Sequence, residues 1–129
     1  GIYYHDTKLW IDLDTYNKAA AILDQVLAKA EELEKADPER YASLVYKVRR
    51  ERIPLDVVLL QNYNDFTRQA NDSGKEFRAP KPEEMRAYCD DFLARCEAAD
   101  LVCYHEGGTP AQFKEYMENL ISTVVPKPE

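Results

Sequence analysis

The sequence predicts an all-α fold, a kinked helical bundle of about four helices with one short extended segment. Three observations carry that expectation. Apolar residues recur in steps of three and four over long stretches, the breaks between stretches have helix start and stop chemistry, and no stretch alternates long enough to build a sheet. With 129 residues, 45% hydrophobic and 32% charged, the chain has the size and composition of one folded domain, residues 1–129, with a single sizeable core.

The first helix is expected over 13–36. Leu13, Tyr16, Ala20, Leu23, Leu27, Ala30 and Leu33 form one stripe, with Asp, Glu and Lys mostly on the other side and Asp12 or Asp14 placed to cap the start. Asp37-Pro38-Glu39 then combines an N-cap acid, a proline at the first helical position and an acid in the first turn, marking a second helix.

That second helix is expected to run from about 39 to 70. The stripe Tyr41, Val45, Val48, Arg52, Leu55, Leu59, Asn62 and Phe66 stays in phase through Pro54, so the proline is expected to kink one long helix rather than end a domain. Inside a regular helix that proline costs about 3 kcal/mol through a lost hydrogen bond and a steric clash. The arginines just before it can donate to the loosened carbonyls or pair with acids on the first helix.

Asn71-Asp72-Ser73-Gly74 supplies stop chemistry, and 75–82, with Pro80 and Pro82, reads as a connecting loop. A third helix is expected over about 83–99, burying Met85, Tyr88, Cys89, Phe92 and Cys96. Leu101-Val102-Cys103-Tyr104 is the short extended segment. Thr109-Pro110-Ala111-Gln112 matches a capping box that opens a fourth helix, with Phe113, Met117 and Leu120 inward and an end near Thr123.

Composition narrows function mostly by exclusion. A net charge of -7, from 24 acids against 17 Lys and Arg, opposes nucleic-acid binding and adhesion to anionic membranes. No apolar run approaches the roughly 18 to 20 residues of a membrane span. The chain opens Gly-Ile-Tyr-Tyr with neither Met nor a signal-peptide pattern, which reads as a piece of a longer protein.

Cys89, Cys96 and Cys103 are spaced by seven. On one helix face the first two stand about 10.5 Å apart along the axis, which excludes a disulfide between them. Small buried apolar side chains are the expected role.

Candidate sites are few. Cys103 and His105 could begin a metal site, with Glu106 as a base, but no second Cys/His pair stands at a recognisable spacing, and Gly107-Gly108 before a capped helix explains the stretch as a loop. No metal and no cofactor is therefore expected. Tyr3, Tyr4 and Trp10 could form a ligand-binding platform that stacks on a sugar, or an interface with a neighbouring domain. Arg49, Arg50 and Arg52 could clamp an anion, although with 24 acids in the chain internal pairing explains them more simply. The chain has no Gly-rich phosphate loop, G-x-S-x-G, H-E-x-x-H or C-x-x-C motif.

Two stretches carry a family resemblance. The charged, alanine-rich helix from about Trp10 to Glu34 leads through Asp37-Pro38 into Arg49-Arg50-Glu51-Arg52-Ile53-Pro54-Leu55, and Cys96 to Gly107 leads into the last helix. Together, over roughly two-thirds of the chain, they resemble the C-terminal helical region of the bacterial family of glycoside hydrolase-like proteins catalogued as domain of unknown function 4838. The resemblance implies a pair of long helices following a (β/α)-barrel, with the catalytic carboxylates on that barrel and none on this chain. It implies a non-catalytic accessory role, with an upstream catalytic domain of the same chain as partner. It also implies a periplasmic, cell-surface or secreted location. The alternatives are a carbohydrate-binding module, with a glycan held by Tyr3, Tyr4 and Trp10, and a protein-interaction domain.

Overall fold

The structure, a computed structural model, describes residues 11–99 and 110–125, with the side chains of 110–114 set aside. Among these residues are five α-helices: α1 Leu13–Ala36, α2 Leu44–Glu51, α3 Ile53–Ser73, α4 Met85–Ala98 and α5 Pro110–Val124. A 3-10 turn, Pro82–Glu84, leads into α4. With α2 and α3 counted as one broken rod, this is the expected four-helix arrangement. The extended segment expected at 101–104 lies outside the described residues.

The ends of α1 follow local chemistry. Asp12 accepts from the Thr15 amide at 2.8 Å, and the Asp37 amide closes the last turn on the Leu33 carbonyl at 3.0 Å. The second helix begins later than the stripe suggests. Asp37 does organise a turn, accepting from the Arg40 amide through its side chain and from the Tyr41 amide through its carbonyl. Ser43 then adopts a left-handed conformation, φ 61°, which a regular helix cannot absorb, so α2 starts at Leu44.

The rod is interrupted at one residue, Arg52, which remains near helical dihedrals (φ -76°, ψ -17°). Pro54 thus sits in the first turn of α3 rather than inside a continuous helix. There its missing N–H and fixed φ cost little, and the penalty expected for a mid-helix proline is largely avoided. The Asp56 amide bonds the Arg52 carbonyl at 3.0 Å, so helical geometry resumes at once and the stripe keeps its phase: Leu59, Asn62 and Phe66 are buried, and Val48, Arg52 and Leu55 half-buried. Gly74 ends α3 with φ 69°.

Helix α3 is the centre of the bundle, with a core on each side. Ile53, Val57 and Leu60 pack with Met85, Cys89, Phe92 and Cys96 of α4, Met117 of α5 and Val125. Leu59 and Phe66 pack with Leu13, Tyr16 and Ala20 of α1. The segment after α3 is anchored onto α1 by Phe77, whose ring lies 5.8 Å from Phe66 and 5.9 Å from Tyr16, both edge-on. Asn17 fastens the same segment through its amide group, donating to the Glu76 carbonyl at 2.8 Å and accepting from the Arg78 amide at 2.9 Å. Among the described residues no helix is long and apolar enough to cross a membrane.

Candidate functional site

The break at Arg52 opens a cleft of about 500 Å³ between α1, α2, α4 and the segment 76–80. Four arginines line it: Arg49 and Arg52 at the break, Arg78 on the segment and Arg95 on α4. They alternate with three aspartates in one continuous chain of charge. Arg78 Nη1 is 3.0 Å from Asp24 Oδ2, and Asp24 Oδ1 is 2.6 Å from Arg52 Nη1. Arg52 Nε faces Asp56 Oδ1 at 3.6 Å, and Asp56 Oδ2 is 2.6 Å from Arg95 Nη1. Arg95 Nε reaches Asp91 Oδ2 at 2.8 Å, and Arg49 Nη2 spans both Asp91 oxygens at 2.7 and 2.8 Å. The chain begins and ends on arginine and joins α1, the 76–80 segment, the helix break, α3, α4 and α2.

Its middle is dry and its ends are wet. Asp56 is 1% exposed and Arg95 10%, whereas Arg49 and Asp91 are each 44% exposed. Tyr88 donates its hydroxyl to Asp56, and the Arg95 guanidinium lies 5.7 Å from the Tyr88 ring and 5.9 Å from the Phe92 ring. Burial pushes the Asp56 carboxyl above the ordinary range for an aspartate, while Arg95, Tyr88 and Arg52 pull it back. With Tyr88 and Arg95 donating to it, the carboxyl is the acceptor of this cluster. Burial, with the Asp56 charge next, raises the Tyr88 hydroxyl and keeps it a donor. Asp91 differs: the bond from Arg49 and the charges of Arg95 and Arg49 outweigh its partial burial and hold it below the usual range.

The arrangement offers guanidinium donors around a partly open space, and carboxylates already engaged with them. It suits holding helices together and presenting cationic N–H groups to a ligand. Among the described residues no group of three or more His, Cys, Asp or Glu is placed to hold a metal. Tyr3, Tyr4 and Trp10, and likewise Cys103, His105 and Glu106, lie outside the described residues. Of the arginines singled out in the sequence, Arg49 and Arg52 line the cleft with internal partners, and Arg50 approaches Glu51 at 3.8 Å on the surface.

Asp24, Asp56, Arg78, Asp91 and Arg95 were not singled out by sequence reasoning. A signal existed for two of them. Asp56 falls among Ile53, Val57 and Leu60 on an inward face, and Arg95 stands beside Phe92 and Cys96 four residues after Asp91. A charge on a buried helix face requires a partner. Comparison of the chain with protein-family models, with curated proteins and with solved structures found no match.

Proposed function

We propose that this chain is a non-catalytic helical accessory domain of a carbohydrate-active, glycoside hydrolase-like protein, packing against a catalytic barrel and supporting it. The observation behind this reading is the use made of the segment that carries the family resemblance. Within Arg49-Arg50-Glu51-Arg52-Ile53-Pro54-Leu55, Arg49 and Arg52 are spent on the ion chain, Pro54 starts α3 and Ile53 enters the core. These are the tasks of a rigid scaffold: the segment ties the broken rod to α1 and α4 and fixes the relative placement of the helices.

The test uses the complete gene product. Removal of the segment equivalent to residues 11–125 is expected to lower the melting temperature of the remaining catalytic domain by several degrees and to reduce its turnover. An unchanged melting temperature and rate, or a gene product with no barrel, would remove the support for this reading. A parallel titration of the isolated chain with plant and host oligosaccharides, followed through Trp10 fluorescence, is expected to be flat. A saturable change lost in Trp10→Ala would replace the accessory role with glycan binding.

A further inference from the structure

We propose that the cleft at the helix break is a binding site for a small organic monocarboxylate with an apolar body, held by the guanidinium groups of Arg49, Arg52 and Arg78. This does not depend on whether the domain supports a neighbour. Four features of the cleft fit it for such a ligand.

The first is size. About 500 Å³ lies within the usual range for small-molecule sites and far above the space of one or two waters.

The second is charge. The ion chain sets four guanidinium groups against three carboxylates, Asp24, Asp56 and Asp91. Glu76 also borders the cleft, 3.8 Å from Arg78 Nε, but its side chain is 69% exposed and its charge is screened by water. The chain thus carries one positive charge in excess, which one further carboxylate on the cleft side would balance.

The third is the supply of donors. A guanidinium carries five N–H groups. Among the described residues, hydrogen bonds engage Nη2 of Arg49 and Nη1 of Arg52 and Arg78. Each of the three keeps other N–H groups outside those bonds, and Asp24 holds Arg52 and Arg78 side by side, a pairing that suits both oxygens of a carboxylate.

The fourth is the apolar part of the lining. Leu23 and Leu27 of α1 and Val48 of α2 are half-buried, line the cleft and belong to neither core cluster. Leu23 and Leu27 lie on the inward stripe of α1, where the helix turns its apolar side toward the cleft instead of toward α3. Together with Pro80, they give the cleft an apolar lining beside its cationic one. A carboxylate with an apolar body can use both kinds of lining, whereas an inorganic anion uses only the cationic one.

The test is a titration of the ¹⁵N-labelled protein with 4-phenylbutyrate, against 4-phenylbutanol and sodium chloride as controls. Saturable shifts are expected at Asp24, Arg49 and Arg78, with the neutral alcohol weaker by at least about tenfold. Arg78→Gln, which removes a half-exposed charge, should weaken binding by a similar factor. Leu27→Trp should abolish it by filling the cleft while keeping every arginine. Equal binding of the alcohol, shifts reproduced by sodium chloride at matched ionic strength, or binding unaltered in both variants would each overturn the proposal.

Discussion

Arg95 of α4 donates to Asp56 of α3 across 2.6 Å, and both side chains are withdrawn from solvent, 10% and 1% exposed. The same guanidinium bonds Asp91 through Nε, while Asp56 also accepts from Tyr88. This pair closes the interior of the charge chain and marks where α3 and α4 meet.

Removing one partner should therefore be costly. Asp56→Leu leaves Arg95 and the half-buried Arg52 without their buried carboxylate, and we expect a loss of about 3 to 5 kcal/mol in urea unfolding. Asp56→Leu combined with Arg95→Met should recover a large part of that loss, because two uncharged side chains no longer carry an unpaired buried charge. A double variant less stable than Asp56→Leu alone would show that Arg95 is held mainly by other contacts.

Acid should loosen the cleft through Asp91. Its folded-state pKa lies below the ordinary 3.8, so the folded state binds fewer protons than the unfolded one as pH falls through that region. Its contribution is in place above about 3.8 and is lost as pH drops toward the folded value. Asp56, shifted the opposite way, loses stability as pH rises above 3.8 toward its own raised value. Urea midpoints measured from pH 6 downward should show a steeper acid decline in the native chain than in Asp91→Asn.

The buried thiols should be slow. Burial raises Cys89 to about 11, with Asp90 adding to the effect, so almost no thiolate is present at neutral pH. Cys96 is buried in the same core and neither is in a disulfide. In a Cys103→Ser background, labelling by a thiol reagent at pH 7.5 should proceed only as fast as the chain opens, and become rapid in urea. Rapid labelling of the folded chain would contradict the packing around α4.

The left-handed residue before α2 offers a stabilising change. Ser43 has φ 61°, a conformation that costs a side-chain-bearing residue more than glycine. Ser43→Gly should raise stability by about 0.5 to 1 kcal/mol, part of the relief being offset by added freedom in the unfolded chain. Gly74→Ala is the reverse case: an added Cβ meets nothing within 4 Å, so any loss reports backbone strain at φ 69° alone. A loss of about 1 kcal/mol is expected in the same urea assay.

Much of the architecture was legible because it is local. The α1 stripe, its Asp12 cap, the Gly74 stop, the buried residues of α4 and the start of α5 at Pro110 all depend on residues within a turn or two of one another. The start of α2 was misplaced for a related reason: Asp37-Pro38 has genuine start chemistry, but the turn it begins is ended by the left-handed Ser43, which no periodicity announces. The location of Pro54 in the first turn of α3 likewise depended on where its neighbours packed.

The cleft belongs to a different level. The amino-acid order sufficed for helices, their inward faces and an acidic all-α chain, since side-chain spacing and capping are set along the backbone. Which of the many carboxylates each arginine would meet was decided only by packing. Arg52 finds Asp24 across 28 positions and Arg49 finds Asp91 across 42. With 24 acids available, one-dimensional spacing leaves such pairs undetermined. The packing of α2 and the break against α1 and α4 selects them, because it fixes which acids the neighbouring helices bring within reach of each arginine.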